Sequence, residues 1–155
     1  MPTTDPDQAA KTAAAGRERV ERLIETHFPQ LRAGGKLILF EAVDEGTARL
    51  RMLAREHLLR PGGTVSGPSM FLLADVAVYA ALLGAKGETA LDAVTVSLTI
   101  NFLSRPPPAD LVATARLLKV GRRLAVGEVE NHSGGADELV AHAMATYALP
   151  PDREQ

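Results

Sequence analysis

Asp75 is the one carboxylate within the most apolar stretch of the chain, residues 70–83. If this stretch is a helix, apolar residues surround Asp75 on every side, which predicts a helix that is buried all round. Burial of an unpaired carboxylate costs free energy or raises the pKa of the group, so a sequence that keeps one there is expected to use it. The alternative is structural, with Asp75 bonding a buried backbone group or an arginine of a partner chain. A membrane span needs about 20 apolar residues, so this shorter stretch predicts a core helix.

A glycine-rich loop, residues 60–68, leads directly into the start of this helix. The first N–H groups of a helix have no intrahelical partner and carry the positive end of its dipole. They can polarise a carbonyl oxygen as an oxyanion hole does, and Gly67 is placed to supply one of them. Ser66 suits the N-cap position, and Pro68 is tolerated in the first turn. The glycine pair earlier in the loop could serve turn geometry alone.

Gly67 and Asp75 are eight residues apart in sequence, which is roughly 12 Å along a helix axis. One Asp75 therefore cannot reach the N-terminus of its own helix. If the two groups act on one substrate atom, they must come from two chains. The spacing thus predicts a dimer whose site lies at the interface.

Periodicity divides the chain into two helices and six strands. A first helix is predicted from Gln8 to Thr26, and the buried helix should end at Leu83, with Gly84 closing it. Residues 1–10 are expected to form a disordered tail and residues 11–149 a single domain. Two strands are predicted within residues 36–54, and the others over residues 94–102, 111–120, 124–131 and 139–149.

The later strands are joined by short turns, which favour an antiparallel sheet. One apolar helix and one long sheet indicate that the sheet curls around the helix, but a sheet can enclose a helix only in part. A partner chain is the economical cover for the remainder. The strand over residues 94–103 should pair with its own copy in that partner, because it alternates and has an uncharged face.

Composition limits the classes of function. The chain has 155 residues, 46% of them hydrophobic, which suffices for one domain with a core. A net charge of -2 provides no basic surface for nucleic acid, and no cysteine is present for disulfide or thiolate chemistry. The four histidines lack the spacing of metal ligands, so we expect no metal site. Residues 1–15 lack a signal-peptide pattern, so we expect a cytoplasmic protein without a membrane partner.

The segment from Arg60 to Ala77 resembles the hotdog-fold acyl-CoA thioesterases of the phenylacetate-pathway (PaaI-like) type. Their pattern is Asn-x-x-Gly-x-x-His-Gly-Gly, followed by a helix with Leu-Ala-Asp-x-Ala. Residues 96–106 resemble the strand that follows the family's helix, and residues 120–124 resemble its next hairpin. The resemblance covers roughly residues 36–149. The positions in register with the motif are Gly63, Gly67, Leu73, Ala74, Asp75 and Ala77.

The resemblance implies an α+β hotdog fold, in which a six-stranded, curved antiparallel sheet wraps around one long buried helix, here with an extra N-terminal helix. It also implies hydrolysis of an acyl-CoA without a covalent Ser-His triad. The Gly67 N–H would hold the thioester oxygen, and Asp75 of the other chain would act as a general base or as a nucleophile. Ser66 and Ser69 would position water or the acyl group, and Tyr79 would line the acyl pocket. Coenzyme A enters as part of the substrate, and no separate cofactor is implied.

The resemblance also indicates which residues could hold the remainder of coenzyme A. Cations at strand ends and turns would bind its phosphates, although an arginine in a turn is more often simply solvated. Asn101 and Leu103 would contact the pantetheine arm, and Arg60 and Gly63 would bind substrate from the loop. The candidate cations are Arg105, Lys119, Arg122 and Arg123.

This sequence departs from the family pattern at three positions. Arg60 stands where the family has Asn, Ser66 replaces the His, and Pro68 replaces the second Gly. These departures keep open a second hypothesis, a hotdog protein that binds acyl-CoA as a sensor or carrier without turning it over. A hotdog dehydratase is a weaker third, because its His-Asp pattern is not visible. Assembly as a dimer and as a dimer of dimers both remain open.

Overall fold

The computed structural model describes residues 5–32, 37–134 and 137–151. The first helix, α1, runs from Pro6 to His27, with Asp5 as its N-cap and Phe28 at its end. Residues 6–10, which the sequence assigns to a tail, are therefore helical, whereas residues 1–4 lie outside the described residues. Residue 36, where the first strand region is predicted to begin, and residue 135 of a predicted turn also lie outside them.

The sheet has six strands, and every neighbouring pair is antiparallel. Their order is β1-β2-β4-β5-β6-β3, so β3 forms one edge of the sheet. Three short 3-10 helices connect the longer elements, at Pro29–Arg32, Glu56–Leu58 and Gly87–Ala90. The strands are β1 (Ile38–Asp44), β2 (Thr47–Met52), β3 (Val94–Phe102), β4 (Leu111–Val120), β5 (Leu124–Ser133) and β6 (Leu139–Ala148).

The long central helix, α2, runs from Gly67 to Lys86, and Gly87 caps it with a φ of 61°. The prediction that Gly84 ends this helix is wrong. A Cβ at Gly84 would lie 2.3 Å from the carbonyl oxygen of Asp44, so this glycine lets the helix approach β1 closely. Gly16 of α1 also lies close to β1, since a Cβ added there would be 2.1 Å from the carbonyl oxygen of Val43. Both glycines serve packing between elements, which sequence spacing does not show.

α2 lies inside the domain, and its buried residues form the centre of the core. The helix and the turn after it, Gly67–Ala90, are 24 residues long and apolar enough to cross a membrane by length and composition. The length argument concerned residues 70–83 alone and does not apply to this longer segment. The prediction of a core helix is confirmed by burial, since 72% of the most apolar 18 residues of this segment is buried.

One face of α2 remains uncovered in the single chain, as expected for a sheet that encloses the helix only in part. Cover of this face by a partner chain stays a prediction. Phe71 and Leu72 are each 40% exposed, and Asp75 is half-buried. This face lies beside the edge strand β3, where Val94 and Val96 are 59% and 58% exposed. The architecture, a curved six-stranded antiparallel sheet around one long helix with α1 packed on β1, is the hotdog fold that the resemblance implies.

Candidate active site

The Asp75 carboxylate is bound by two hydroxyl groups. The Thr95 hydroxyl donates to Asp75 Oδ1 over 2.8 Å, and the Tyr147 hydroxyl donates to the same oxygen over 2.5 Å. The Tyr147 hydroxyl is also 3.0 Å from the backbone carbonyl oxygen of Asp75. The expectation of purely apolar surroundings is therefore wrong, because α2 turns Asp75 toward the polar positions of β3 and β6.

Tyr147 belongs to a row of three aromatic rings. Its ring stacks on Tyr79 with centroids 6.2 Å apart, and Tyr79 meets Phe28 edge-on at 6.2 Å. Burial raises the pKa of Tyr147, and the hydrogen bond to Asp75 raises it further. Burial also raises the pKa of Tyr79, with a smaller effect from the negative charge of Asp92. Both phenols are therefore neutral near pH 7, so each acts as a hydrogen-bond donor, Tyr79 to the Leu91 oxygen at 2.9 Å.

Asp75 opens onto a cleft of about 1440 Å³. Of the residues predicted for the site, Asp75, Tyr79 and Arg122 line this cleft together. Phe28, at the end of α1, supplies part of the wall beside Tyr79, and Lys86 adds a second cation. The cleft thus combines a carboxylate, apolar walls and positive charge.

The start of α2 is organised by two serines. Ser66 is the N-cap, and its hydroxyl accepts from the Ser69 N–H over 3.3 Å and contacts the Ser69 hydroxyl at 2.7 Å. The Ser69 hydroxyl is also 3.2 Å from the Leu58 carbonyl oxygen, to which it can donate. The N-cap prediction for Ser66 is confirmed. Contact of either serine with water or an acyl group stays a prediction.

Within the described residues, the Gly67 N–H donates to no acceptor, as expected for the first residue of a helix. Gly67 lies against the ring of Phe102, since a Cβ there would be 3.2 Å from Phe102 Cζ. Phe102 is at the C-terminal end of β3. Thr95, which holds Asp75, is near the N-terminal end of the same strand. The two candidate catalytic groups therefore lie against opposite ends of β3.

The loop before α2 forms a tight turn. The Thr64 oxygen accepts from the Arg60 N–H at 2.9 Å, and the Arg60 oxygen accepts from the Gly63 N–H at 3.0 Å. Gly62 and Gly63 have φ values of 104° and 81°, where other residues would be strained. This geometry accounts for both glycines. Binding of substrate by Arg60 and Gly63 stays a prediction.

The remaining predicted residues lie apart from the Asp75 cleft. Asn101 pairs with His142 of β6 and is on the opposite face of β3 from Phe102. Leu103 follows β3 and is 54% exposed. Three of the predicted cations are exposed and do not line the cleft, namely Arg105, Lys119 and Arg123.

The four histidines lie on four different elements, namely α1, the 3-10 helix Glu56–Leu58, β5 and β6. His142 Nε2 is 3.2 Å from Glu128 Oε2, in a cluster with Arg116 on β4. Hydrogen bonds from Arg116 and then from His142 lower the pKa of Glu128. Across residues 5–32, 37–134 and 137–151, no three His, Cys, Asp or Glu side chains are grouped to hold a metal ion.

Four residues of the site were not found from the sequence: Thr95, Tyr147, Phe28 and Lys86. Thr95 and Tyr147 are 20 and 72 residues from Asp75, and only the pairing of β3 with β6 brings them together. Alternation places both on known faces of their strands but does not reveal which helix residue they meet. Phe28 follows the predicted end of α1, and its place in the cleft depends on how α1 packs.

Comparison with known proteins assigns the chain to a family. Residues 62–147, more than half of the chain, match the family model of the thioesterase superfamily. A candidate esterase from Saccharolobus solfataricus is 30% identical over 112 residues, which are 72% of this chain and 73% of that protein. The chain therefore belongs to the thioesterase superfamily, and membership supports hydrolysis of a thioester as its general activity.

Solved structures are similar over most of the chain. A candidate thioesterase from Silicibacter sp. TM1040 is 43% identical, with a TM-score of 0.77 over 87% of this chain and 92% of that one. The PaaI protein of the E. coli phenylacetic acid degradation operon is 22% identical, with a TM-score of 0.74 over 90% of this chain and 96% of that one. At that identity the second likeness concerns the fold alone.

Proposed function

We propose that this protein is a cytoplasmic acyl-CoA thioesterase that releases a free acid and coenzyme A. Each active site would combine Asp75 of one protomer with the Gly67 N–H of its partner. The observation that carries this proposal is the placement of the two groups at separate positions on α2, against opposite ends of the edge strand β3. Hydrolysis of this kind needs no bound cofactor.

The edge strand β3 provides the geometry for such a dimer. It is nine residues long, and its outer edge is not paired within the described chain. If two copies pair antiparallel about a two-fold axis, the Thr95 end of one lies beside the Phe102 end of the other. Asp75 of each protomer would then approach Gly67 of its partner. The exposed apolar side chains Phe71, Leu72 and Val96 would be covered in the same step.

The chemistry follows from the two groups. The Gly67 N–H, at the positive end of α2, would donate to the thioester carbonyl oxygen as it becomes negative. Asp75 would take a proton from water, whose oxygen forms a bond to the carbonyl carbon. The tetrahedral intermediate then breaks its carbon–sulfur bond, and the thiolate leaves and takes up the proton. Alternatively, Asp75 attacks the carbonyl carbon directly, and the carbon–sulfur bond breaks as the thiolate of coenzyme A leaves and takes up a proton. Water then hydrolyses the resulting mixed anhydride to the free acid and the Asp75 carboxylate.

Coenzyme A is long and carries phosphates, so its binding needs cations outside the acyl pocket. Arg122 and Lys86 line the Asp75 cleft and are the first candidates for these contacts. Tyr79 and Leu72 would border the acyl group on the apolar side. Arg105, Lys119 and Arg123 do not line the cleft, and we propose that they contact coenzyme A outside it. Contacts of Asn101 and Leu103 with the pantetheine arm would need the partner chain.

A second function is a sensor or carrier that binds acyl-CoA without cleaving it. The observation that favours it is at Ser66, whose hydroxyl is engaged by Ser69 where the family has a histidine. Substrate orientation would then rest on the Gly67 N–H alone. Tight binding of acyl-CoA without thiol release would support this function over hydrolysis.

The test is thiol release from short, long and aromatic acyl-CoAs by the wild type and by Asp75→Ala. We expect the variant to lose activity by about 10²- to 10⁴-fold, the usual contribution of a general base. Glu88→Gln is the matched control, because Glu88 is a carboxylate that lines the same cleft but is exposed and lies beyond the end of α2. Equal rates for wild type and Asp75→Ala would remove Asp75 from the reaction.

A further inference from the structure

We propose that Tyr147 is a positioning residue that, together with Thr95, holds the Asp75 carboxylate so that Oδ2 is its reacting oxygen. The inference rests on the proposed hydrolase function and assigns a role within that site. Its starting point is that both hydroxyl donors meet Oδ1, at 2.8 Å from Thr95 and 2.5 Å from Tyr147.

The two donors form one structural unit. Thr95 on β3 and Tyr147 on β6 are directly paired across the two strands. Cross-strand partners point to the same face of a sheet, here toward α2. Their hydroxyls therefore converge on one oxygen from two adjacent strands. Such a pair restricts rotation of the carboxylate more than a single donor would.

Tyr147 itself is held rigidly. It is only 3% exposed, and its ring stacks on Tyr79 at an interplanar angle of 18°. Its hydroxyl also lies 3.0 Å from the Asp75 backbone oxygen, so it contacts both the backbone and the side chain of Asp75. Because burial raises the pKa of Tyr147, the phenol stays protonated and can only donate to the carboxylate. It does not compete with Asp75 as a base.

The consequence concerns the two oxygens of Asp75. Oδ1 accepts two hydrogen bonds, whereas no side chain in the described residues donates to Oδ2. A carboxylate oxygen that already accepts two donors is a poorer base than one that is unoccupied. Oδ2 is thus left to take the proton of water or to attack the thioester. Loss of a donor would let the carboxylate rotate away from this orientation, which reduces the fraction of productive encounters.

The test compares Tyr147→Phe, Thr95→Val and the double variant with wild type, using an acyl-CoA that the wild type cleaves. We expect each single variant to lower kcat about tenfold with little change in KM, and the double variant to lower it further, because Oδ1 then has no donor. Thr99→Val is the matched control, since Thr99 lies on the other face of β3 from Thr95. Wild-type kcat in Tyr147→Phe would overturn the proposal, as would an equal loss in Thr99→Val.

Thermal unfolding separates positioning from stability and from failure of the function. Tyr147→Phe should lower the unfolding midpoint less in an Asp75→Ala background than in wild type, because the hydrogen bond from Tyr147 to Asp75 Oδ1 is already lost there. An equal drop in both backgrounds would overturn the contact even in a protein without activity. Failure of the hydrolase function is a different result, namely no thiol release by the wild type on any acyl-CoA.

Discussion

Gly67 and Asp75 belong to the same helix, yet each lies against a different end of β3. Phe102 at one end contacts Gly67, and Thr95 at the other end bonds Asp75. In the proposed dimer, two-fold pairing of β3 would bring the Gly67 end of one protomer beside the Asp75 end of the other. The edge strand would then link the assembly of the protein to its chemistry.

Replacing Gly67 with proline should remove the proposed oxyanion donor while the helix is retained. Proline suits the first helical position, and the preceding Ser66 has φ -74° and ψ 153°, a conformation favoured before proline. We expect kcat to fall by about 10²- to 10³-fold, the usual effect of losing one such donor. Steady-state thiol release checks this, with circular dichroism as the control for helix content. Gly67→Ala is the steric control, because it adds a Cβ beside Phe102 but keeps the N–H. Unchanged kcat would exclude the Gly67 N–H from the mechanism.

Gly84→Ala distinguishes tertiary packing from helix propensity. Propensity alone predicts that alanine in place of glycine stabilises a helix by about 1 kcal/mol. The Cβ would lie 2.3 Å from the Asp44 oxygen, a backbone atom that cannot move cheaply, so we expect destabilisation of about 1–3 kcal/mol. Urea unfolding measures the difference. A more stable variant would contradict the close approach of α2 to β1.

Val96→Lys should disrupt the dimer and activity together. Val96 is 58% exposed on the edge strand, and a lysine there would place charge in the proposed interface. We expect light scattering at micromolar concentration to show monomers and thiol release to fall to background. Leu118→Lys is the control, because Leu118 is 46% exposed but lies on the internal strand β4. A dimeric Val96→Lys protein would contradict pairing through β3.

Alkaline pH should destabilise the fold through Tyr147. Because burial raises the pKa of Tyr147 above its usual value of 10.0, the folded chain holds the phenol proton to higher pH than the unfolded chain. The contribution of Tyr147 to the free energy of unfolding should therefore be fully present below about pH 10 and decrease as the pH rises further. Denaturant unfolding between pH 8 and 11 measures this decline. Tyr147→Phe should reduce it, and an identical decline in that variant would contradict the assignment.

The sequence predicted the elements with strong periodicity. The six strands, the core helix and the spacing of Gly67 and Asp75 follow from local pattern and from the resemblance, and the fold confirms them. Features set by contacts between distant elements were not predictable. Gly84 resembles a helix terminator in the sequence, and its role in close packing against β1 depends on the tertiary structure. The donors to Asp75 come from a strand pairing that no single segment encodes.

Which face of α2 the sheet leaves open could not be predicted, for a related reason. Phe71 and Leu72 are apolar, as expected both for a helix face covered by the sheet of its own chain and for one covered by a partner. The sequence of α2 therefore does not distinguish the two kinds of cover. Only the curvature and edge of the sheet show which side of the helix remains open. The cleft wall at Phe28 likewise depends on how α1 packs against β1.

The central claim is that each active site takes Asp75 from one protomer and Gly67 from the other. Mixing Asp75→Ala with Gly67→Pro subunits, each inactive alone, tests it directly. A mixed dimer would hold one site with both defects and one intact site, so random assembly should restore about a quarter of the wild-type thiol release. Thiol release that stays at the level of the separate variants, in a sample shown to contain mixed dimers, would contradict the claim.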